Sequence, residues 1–312
     1  MKEEIKVAVI GLDTSHSVEF PRRMQDPECP AETRVEGLRA ATCLRFETPF
    51  TNPKVLDERQ QQLEKWGVKV TENFDEAVAG CDAIMIEIND PAYHLEYFKK
   101  CMKSGKPIFL DKPLADTYKN GKAIAGLAEE KHVKVISSSP LRYSQSLADA
   151  CGKVKKPTQA YCYGPLGIPA HRSFQHLEGM DAVPAVGSGI VWYGVHSFEM
   201  LERAMGRGAL SVDVKKDDAG AVAIVEYPEK RRGIVELTVG NYAYGGTIRD
   251  EKASAPFIVD GSMFYTKELR VLHKFFKTGE APICLDDALE VMNMLDAAAQ
   301  SYETGRPVSL KR

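Results

Sequence analysis

The turn Gly11-Leu12-Asp13-Thr14-Ser15-His16 follows a run of β-branched residues and leads into a helix-like stretch. A dinucleotide site needs such a turn to be rich in glycine. One glycine makes the tight bend, a second lets the backbone approach the pyrophosphate, and a third lets helix and strand pack closely. Only Gly11 stands in place; Asp13 takes the second position and His16 the third. A carboxylate about 5 Å from a phosphate costs on the order of 3 kcal/mol per unit charge at an effective dielectric of about 20. Two readings of the turn are open. In one, Asp13, Thr14 and Ser15 cap the helix, as these residue types prefer to do, and no phosphate binds. In the other, Asp13 swings aside, Thr14 and Ser15 donate to phosphate, and His16 points into the same cleft. Near the end of the second apolar run, Arg45 would suit a 2′-phosphate and Glu47 a pair of ribose hydroxyls. Each reads more simply as a solvated charge.

Lys112 ends a buried, strand-like run just before Pro113. The carboxyl end of a strand in a parallel sheet opens on the ligand crevice, so a lysine there is a strong candidate for chemistry. Pro113 biases Lys112 away from helix. His94, just after another apolar run, either faces the crevice or caps the next helix. The stretch Tyr161 to His176 gathers Tyr161, Tyr163, His171, Arg172 and His176. Aromatic rings stacking on sugar faces, with His and Arg reading hydroxyl or carboxylate groups, would make a polyol pocket, to which Trp192 and Tyr193 would add. Taken singly, each of these also reads as a polar loop residue. His171 and His176 lack the i, i+4 spacing of a helical zinc pair, and no CxxC occurs, so no metal is expected.

The elements that must position these residues fall into two rhythms. Apolar runs at 5–10, 38–44, 68–70, 83–88, 107–110 and 133–136 alternate with helix-like stretches at 53–66, 74–79, 93–104 and 118–131. That alternation predicts a Rossmann-like, doubly wound parallel sheet over residues 1–137. From residue 138 to 312 the pattern changes. Helical pieces at 142–152 and 189–205 enclose a loop, and strand-like runs at 210–214, 221–227, 233–239, 242–248 and 257–264 then follow without helices between them. This predicts a second, α+β domain with a largely antiparallel, open sheet, closed by two amphipathic helices. Asp286 or Asp287 would cap the last helix, and Gly305 and Pro307 would end it. Val235, Leu237 and Val239 share one face of their strand; Glu236 and Thr238 share the other, which is left for solvent or a partner.

The composition excludes several classes. Two domains are expected of 312 residues. A net charge of −3, from 41 basic and 44 acidic residues, gives no field for nucleic acid or an anionic membrane. No apolar stretch approaches the roughly 18–20 residues of a membrane span, and the start MKEEIKVAVIG does not read as a signal peptide. The 7 cysteines sit mostly among apolar neighbours and read as buried, reduced thiols of a cytoplasmic protein.

The segment CDAIMIEINDPAYHLEYFKKCMKSGKPIFLDKPLA resembles the Gfo/Idh/MocA family of nicotinamide-dependent oxidoreductases, with Pro91, His94, Gly105, Lys106 and Asp111-Lys112-Pro113 in the family's places. Asp111 replaces the usual glutamate. GSGIVWYGVHSFEML resembles the second signature, with Gly187, Gly189, Gly194 and His196 in place and Glu199 for the last aspartate. SYETGRPV fits the family's close. The resemblance implies NAD or NADP as cofactor, held by the turn residues and by Asp111 and Pro113. It also implies a sugar, cyclitol or related polyol as substrate, Lys112 as the group polarising the substrate oxygen, and His196 as proton acceptor. A histidine, with a pKa near neutrality, suits the proton that leaves a carbinol oxygen. One departure matters: Trp192 replaces the aspartate four residues before His196. With the missing glycines, it leaves a second reading open, a non-redox member binding a sugar-like or nucleotide ligand as a sensor or for lyase- or hydrolase-type chemistry. The open sheet face suggests a homo-oligomer, dimer or tetramer.

Overall fold

The computed structural model describes residues 4–48, 50–167 and 189–311. Apolar runs without alternation suit strands buried on both faces, as parallel strands are. Six strands form the first sheet: β1 (Ile5–Ile10), β2 (Leu38–Leu44), β3 (Lys69–Thr71), β4 (Ala83–Ile86), β5 (Ile108–Asp111) and β6 (Val135–Ser138). Their order is β3-β2-β1-β4-β5-β6, and every pairing is parallel. Five helices connect them: α1 (His16–Gln25), α2 (Pro53–Lys65), α3 (Phe74–Val78), α4 (His94–Cys101) and α5 (Tyr118–Glu130). Side-chain caps from Asn52, Asn73 and Thr117 fix the starts of α2, α3 and α5. The strand order reverses between β1 and β4, and the crevice outside the carboxyl ends of the strands opens there.

After β6 come a 3-10 turn at Pro140–Tyr143 and α6 (Gln145–Lys153). The second sheet holds β7 (Gln159–Pro165), β8 (Ser211–Asp217), β9 (Gly220–Glu226), β10 (Arg232–Thr238), β11 (Gly245–Arg249), β12 (Ser254–Ile258) and β13 (Val308–Ser309), in the order β12-β11-β7-β10-β9-β8-β13. All its pairings are antiparallel except β7 with β10. The predicted class therefore holds, with one element misread. Tyr161 and Tyr163 lie on the interior strand β7, not in a loop. Their neighbours Ala160, Cys162 and Gly164 face the core, so the alternation was that of a strand. The predicted strands at 242–248 and 257–264 appear as β11 and β12, each starting three residues away from its predicted start.

Four further helices complete the fold: α7 (Gly189–Trp192), α8 (Gly194–Met205), α9 (Phe264–Thr278) and α10 (Leu285–Thr304). α10 is capped by Cys284, with Asp287 reaching back to its backbone N–H, and Gly305 closes it in a left-handed conformation. α9 returns to the first sheet, where Leu269, Leu272 and Phe275 join Val7, Val9, Phe20 and Phe109 in one buried cluster. The other face of the first sheet shares a single core with α10 and the inner face of the second sheet. Val235 and Leu237 are buried as expected, whereas Val239 lies past the strand end and is exposed. The cysteines are unpaired thiols; Cys284 is the exposed one.

Candidate active site

Gly11 turns the chain out of β1 at φ +107°, and a Cβ there would lie 2.5 Å from the Glu87 carbonyl oxygen. Only glycine fits so close an approach. The turn then carries Asp13 inward. Its carboxylate accepts from Thr48 Oγ1 at 2.7 Å and from the Asn89 N–H at 2.9 Å, and its carbonyl accepts from Thr51 Oγ1. Arg59, donating to the Leu12 carbonyl, stands close by. Burial pushes the Asp13 carboxyl up to about 6, against these hydrogen bonds and the Arg59 charge. The self-capping reading of the turn is thereby corrected. Asp13 holds the loop after β2, and Ser15 at the N-cap makes no side-chain capping bond. Thr14 Oγ1 accepts from the His16 N–H, and the Ser15 side chain is exposed.

His16 opens α1 with its Nδ1 2.8 Å from Asp111 Oδ2 and 4.0 Å from Glu87 Oε2. Its ring meets Tyr265 and Phe20 edge-on. Lys112 follows β5 through a cis bond to Pro113, and its Nζ lies 3.9 Å from Asp111 Oδ2. Burial alone would raise the Asp111 carboxyl, but the His16 and Lys112 charges hold it down at about 2. Across the crevice, His196 places Nδ1 2.6 Å from Ser139 Oγ and its ring edge-on to Tyr244. Burial, reinforced by Lys112 and His16, holds its pKa well below the ordinary histidine value.

These groups surround a cavity of about 230 Å³, lined by Asp13, Thr14, Ser15, His16, Asn89, Lys112, Trp192, Tyr193, His196, Tyr244 and Tyr265 among others. Trp192 packs against Phe50 at 4.9 Å, and Tyr193 meets Tyr242 edge-on. A larger hollow of about 570 Å³, beside Gly37 and His273 at the opposite end of the strands, holds none of the candidate residues.

Other expectations are placed elsewhere. His94 is fully buried behind the site, with its ring nitrogens against the Ile88 and Leu114 carbonyls, and does not line the cavity. Arg45 is held by Gln60 and Asp57. Glu47 is exposed. Asp111 and Pro113 stand behind His16 and Lys112 rather than on the cavity wall. His171, Arg172 and His176 lie outside the described residues.

The sequence reading missed Glu87, Asn89, Ser139, Arg142, Tyr244, Tyr265 and Glu268. A charge closing the apolar run AIMIEI was the signal for Glu87. Arg142, in SSSPLRYS, is buried between Glu199 (2.9 Å) and Glu202, tying the turn after β6 to α8. Glu268 accepts from Ser138. Tyr244 and Tyr265 arrive from distant elements and carry no local mark.

The fold joins a Rossmann-type parallel sheet to a second, mostly antiparallel sheet, with the crevice at the carboxyl edge of the first. Residues 52–139 match the sequence model of the Gfo/Idh/MocA oxidoreductase family, described as having an NAD-binding Rossmann fold. The matched segment includes Asp111-Lys112-Pro113. No curated protein sequence matches the chain. Among solved structures, scyllo-inositol dehydrogenase from Lactobacillus casei with NAD(H) and scyllo-inositol is similar at 15% identity and TM-score 0.77, over 98% of this chain and 99% of that one. Myo-inositol dehydrogenase from the same organism, with NAD(H) and myo-inositol, is 13% identical at TM-score 0.77, over 99% and 97%. Myo-inositol 2-dehydrogenase from Lactobacillus plantarum is 14% identical at TM-score 0.78, over 99% and 100%. At these identities the likeness establishes the shared fold.

Proposed function

We propose that the chain is an NAD(H)-dependent dehydrogenase of a sugar, cyclitol or related polyol. The observation that carries this reading is the convergence of Lys112 and His196 on one cavity at the carboxyl edge of the first sheet. The inositols and NAD(H) bound by proteins of the same fold support the ligand classes.

The turn fits a dinucleotide despite its lost glycines. Both Asp13 oxygens are engaged by Thr48 and Asn89, away from any phosphate, while Thr14 and the uncapped Ser15 stay at the N-terminus of α1. Arg45 is already paired with Asp57, which leaves a 2′-phosphate without a counter-charge and favours NAD over NADP. A bound nicotinamide would supply hydride acceptance from the carbinol carbon. Lys112 donates to the substrate oxygen and orients it. His196, kept neutral by its surroundings, donates Nδ1–H to Ser139 and takes the carbinol proton at Nε2. Trp192 and Tyr193 offer flat apolar surface to the carbon faces of a polyol. In this reading residues 1–137 serve the cofactor, and residues 138–312 serve the substrate and association with other copies of the chain.

Calorimetric titration with NAD⁺, NADH, NADP⁺ and NADPH tests the proposal. Micromolar binding of the NAD pair, followed by polyol oxidation that Lys112→Ala abolishes, is the expected result. Failure of all four nucleotides to bind overturns it, and favours the non-redox reading, for which Asp13 in the turn is the specific observation.

A further inference from the structure

Behind the cavity wall, two strand ends, the start of α1 and the first turns of α9 bring titratable groups together. His16 Nδ1, a Glu87 oxygen and an Asp111 oxygen all lie within 4.8 Å of one another. The three residues are 5%, 0% and 1% exposed. Both Glu87 oxygens and Asp111 Oδ1 are buried without a hydrogen-bond partner. Glu268, fully buried with Oε2 likewise unpartnered, adds a third carboxylate to the same interior. Among the described residues, Lys112 and His16 stand against these acids.

Carboxylate oxygens left without partners in a dry interior are costly, and a proton or a cation must compensate them. A proton on Glu87 would remove its charge but leave its oxygens without hydrogen-bond partners among the described residues. A water would satisfy lone pairs but neutralise nothing. A divalent cation would do both.

We propose that His16, Glu87 and Asp111 bind a divalent first-row transition cation, of the Mn²⁺ or Zn²⁺ class. One imidazole nitrogen with two carboxylates suits such ions better than Mg²⁺, which prefers oxygen alone. His16 also lines the cavity, so the ion has a way in from the substrate side. The site stands whether or not nicotinamide binds.

The test is calorimetric titration of chelator-stripped, full-length protein with Mn²⁺, with Mg²⁺ as control, together with the visible spectrum of the Co²⁺-loaded protein. One Mn²⁺ site per chain is expected, tighter than Mg²⁺, and weakened at least about tenfold in Glu87→Gln and in His16→Asn. The Co²⁺ spectrum should change in His16→Asn. Circular dichroism checks that each variant is folded; should Glu87→Gln fail to fold, His16→Asn carries the test. Wild-type protein that binds no Mn²⁺, or folded variants that bind it as tightly as wild type, would overturn the proposal.

Discussion

Asp13 is a buried acid whose charge is tolerated rather than welcomed. Its carboxyl titrates at about 6 in the folded chain, against an ordinary value of 3.8. Between those values the folded state holds a proton that the unfolded state has released. Stability from this residue is therefore greatest at the acid end of the window and falls as pH rises to about 6, by on the order of 3 kcal/mol. Asn at this position keeps both hydrogen bonds, its amide donating to Thr48 and its oxygen accepting from Asn89. Asp13→Asn should thus be more stable than wild type at neutral pH and lack this part of the slope. Melting curves from pH 4 to 7 read the difference, and parallel curves would count against it. His196 makes the opposite kind of prediction. His196→Ala should lower kcat/KM by about 10²- to 10⁴-fold. Because burial, Lys112 and His16 depress its pKa, the wild-type acid limb of kcat/KM should lie below the ordinary histidine range. The place of Lys112 on the cavity was readable in advance, because a lysine between a buried strand and a proline has little structural excuse. The Glu199–Arg142–Glu202 brace was not, because its members are some 60 residues apart and each looks like a surface charge.

At the scale of elements, that brace positions the site. Arg142 sits on the turn after β6, beside Ser139, and grips α8, which carries His196. Burial raises the Glu199 carboxyl to about 7, with Arg142 opposing the rise. Arg142→Ala would leave two carboxylates buried without their partner. A loss of about 3–5 kcal/mol in chemical denaturation is expected; a loss under about 1 kcal/mol would show the brace to be dispensable. The parallel strands were legible because burial on both faces writes an unbroken apolar run. β7 was not legible because its exposed positions carry tyrosines. Two rings spaced two apart, in a stretch rich in Gly, Pro and His, look like a ligand loop until the partner strands are known. The Tyr161 hydroxyl in fact reaches Glu236 on the neighbouring strand.

For the whole molecule, the feature that bears on assembly is the outer face of the second sheet. It presents Val222 at 36% and Ile258 at 71% exposure, with Ile224 and Ile234 half-buried between them. These apolar side chains, set among Arg232, Glu236 and Thr238, are suited to contact with a second copy of the chain. Light scattering at micromolar concentration should give a dimer or tetramer, and Ile234→Lys should shift it to monomer. A monomeric wild type would defeat the idea.

The return of α9 to the first sheet has a consequence for how the chain is made. A ribosome delivers β1 to β6 well before it reaches Phe264, and at about 5–20 residues per second the gap is on the order of ten seconds. Throughout that interval the nascent sheet shows Val9 and Phe109 without the helix that will cover them. The emerging amino-terminal half therefore completes this core only when residues 264–278, in the last fifth of the chain, have been made.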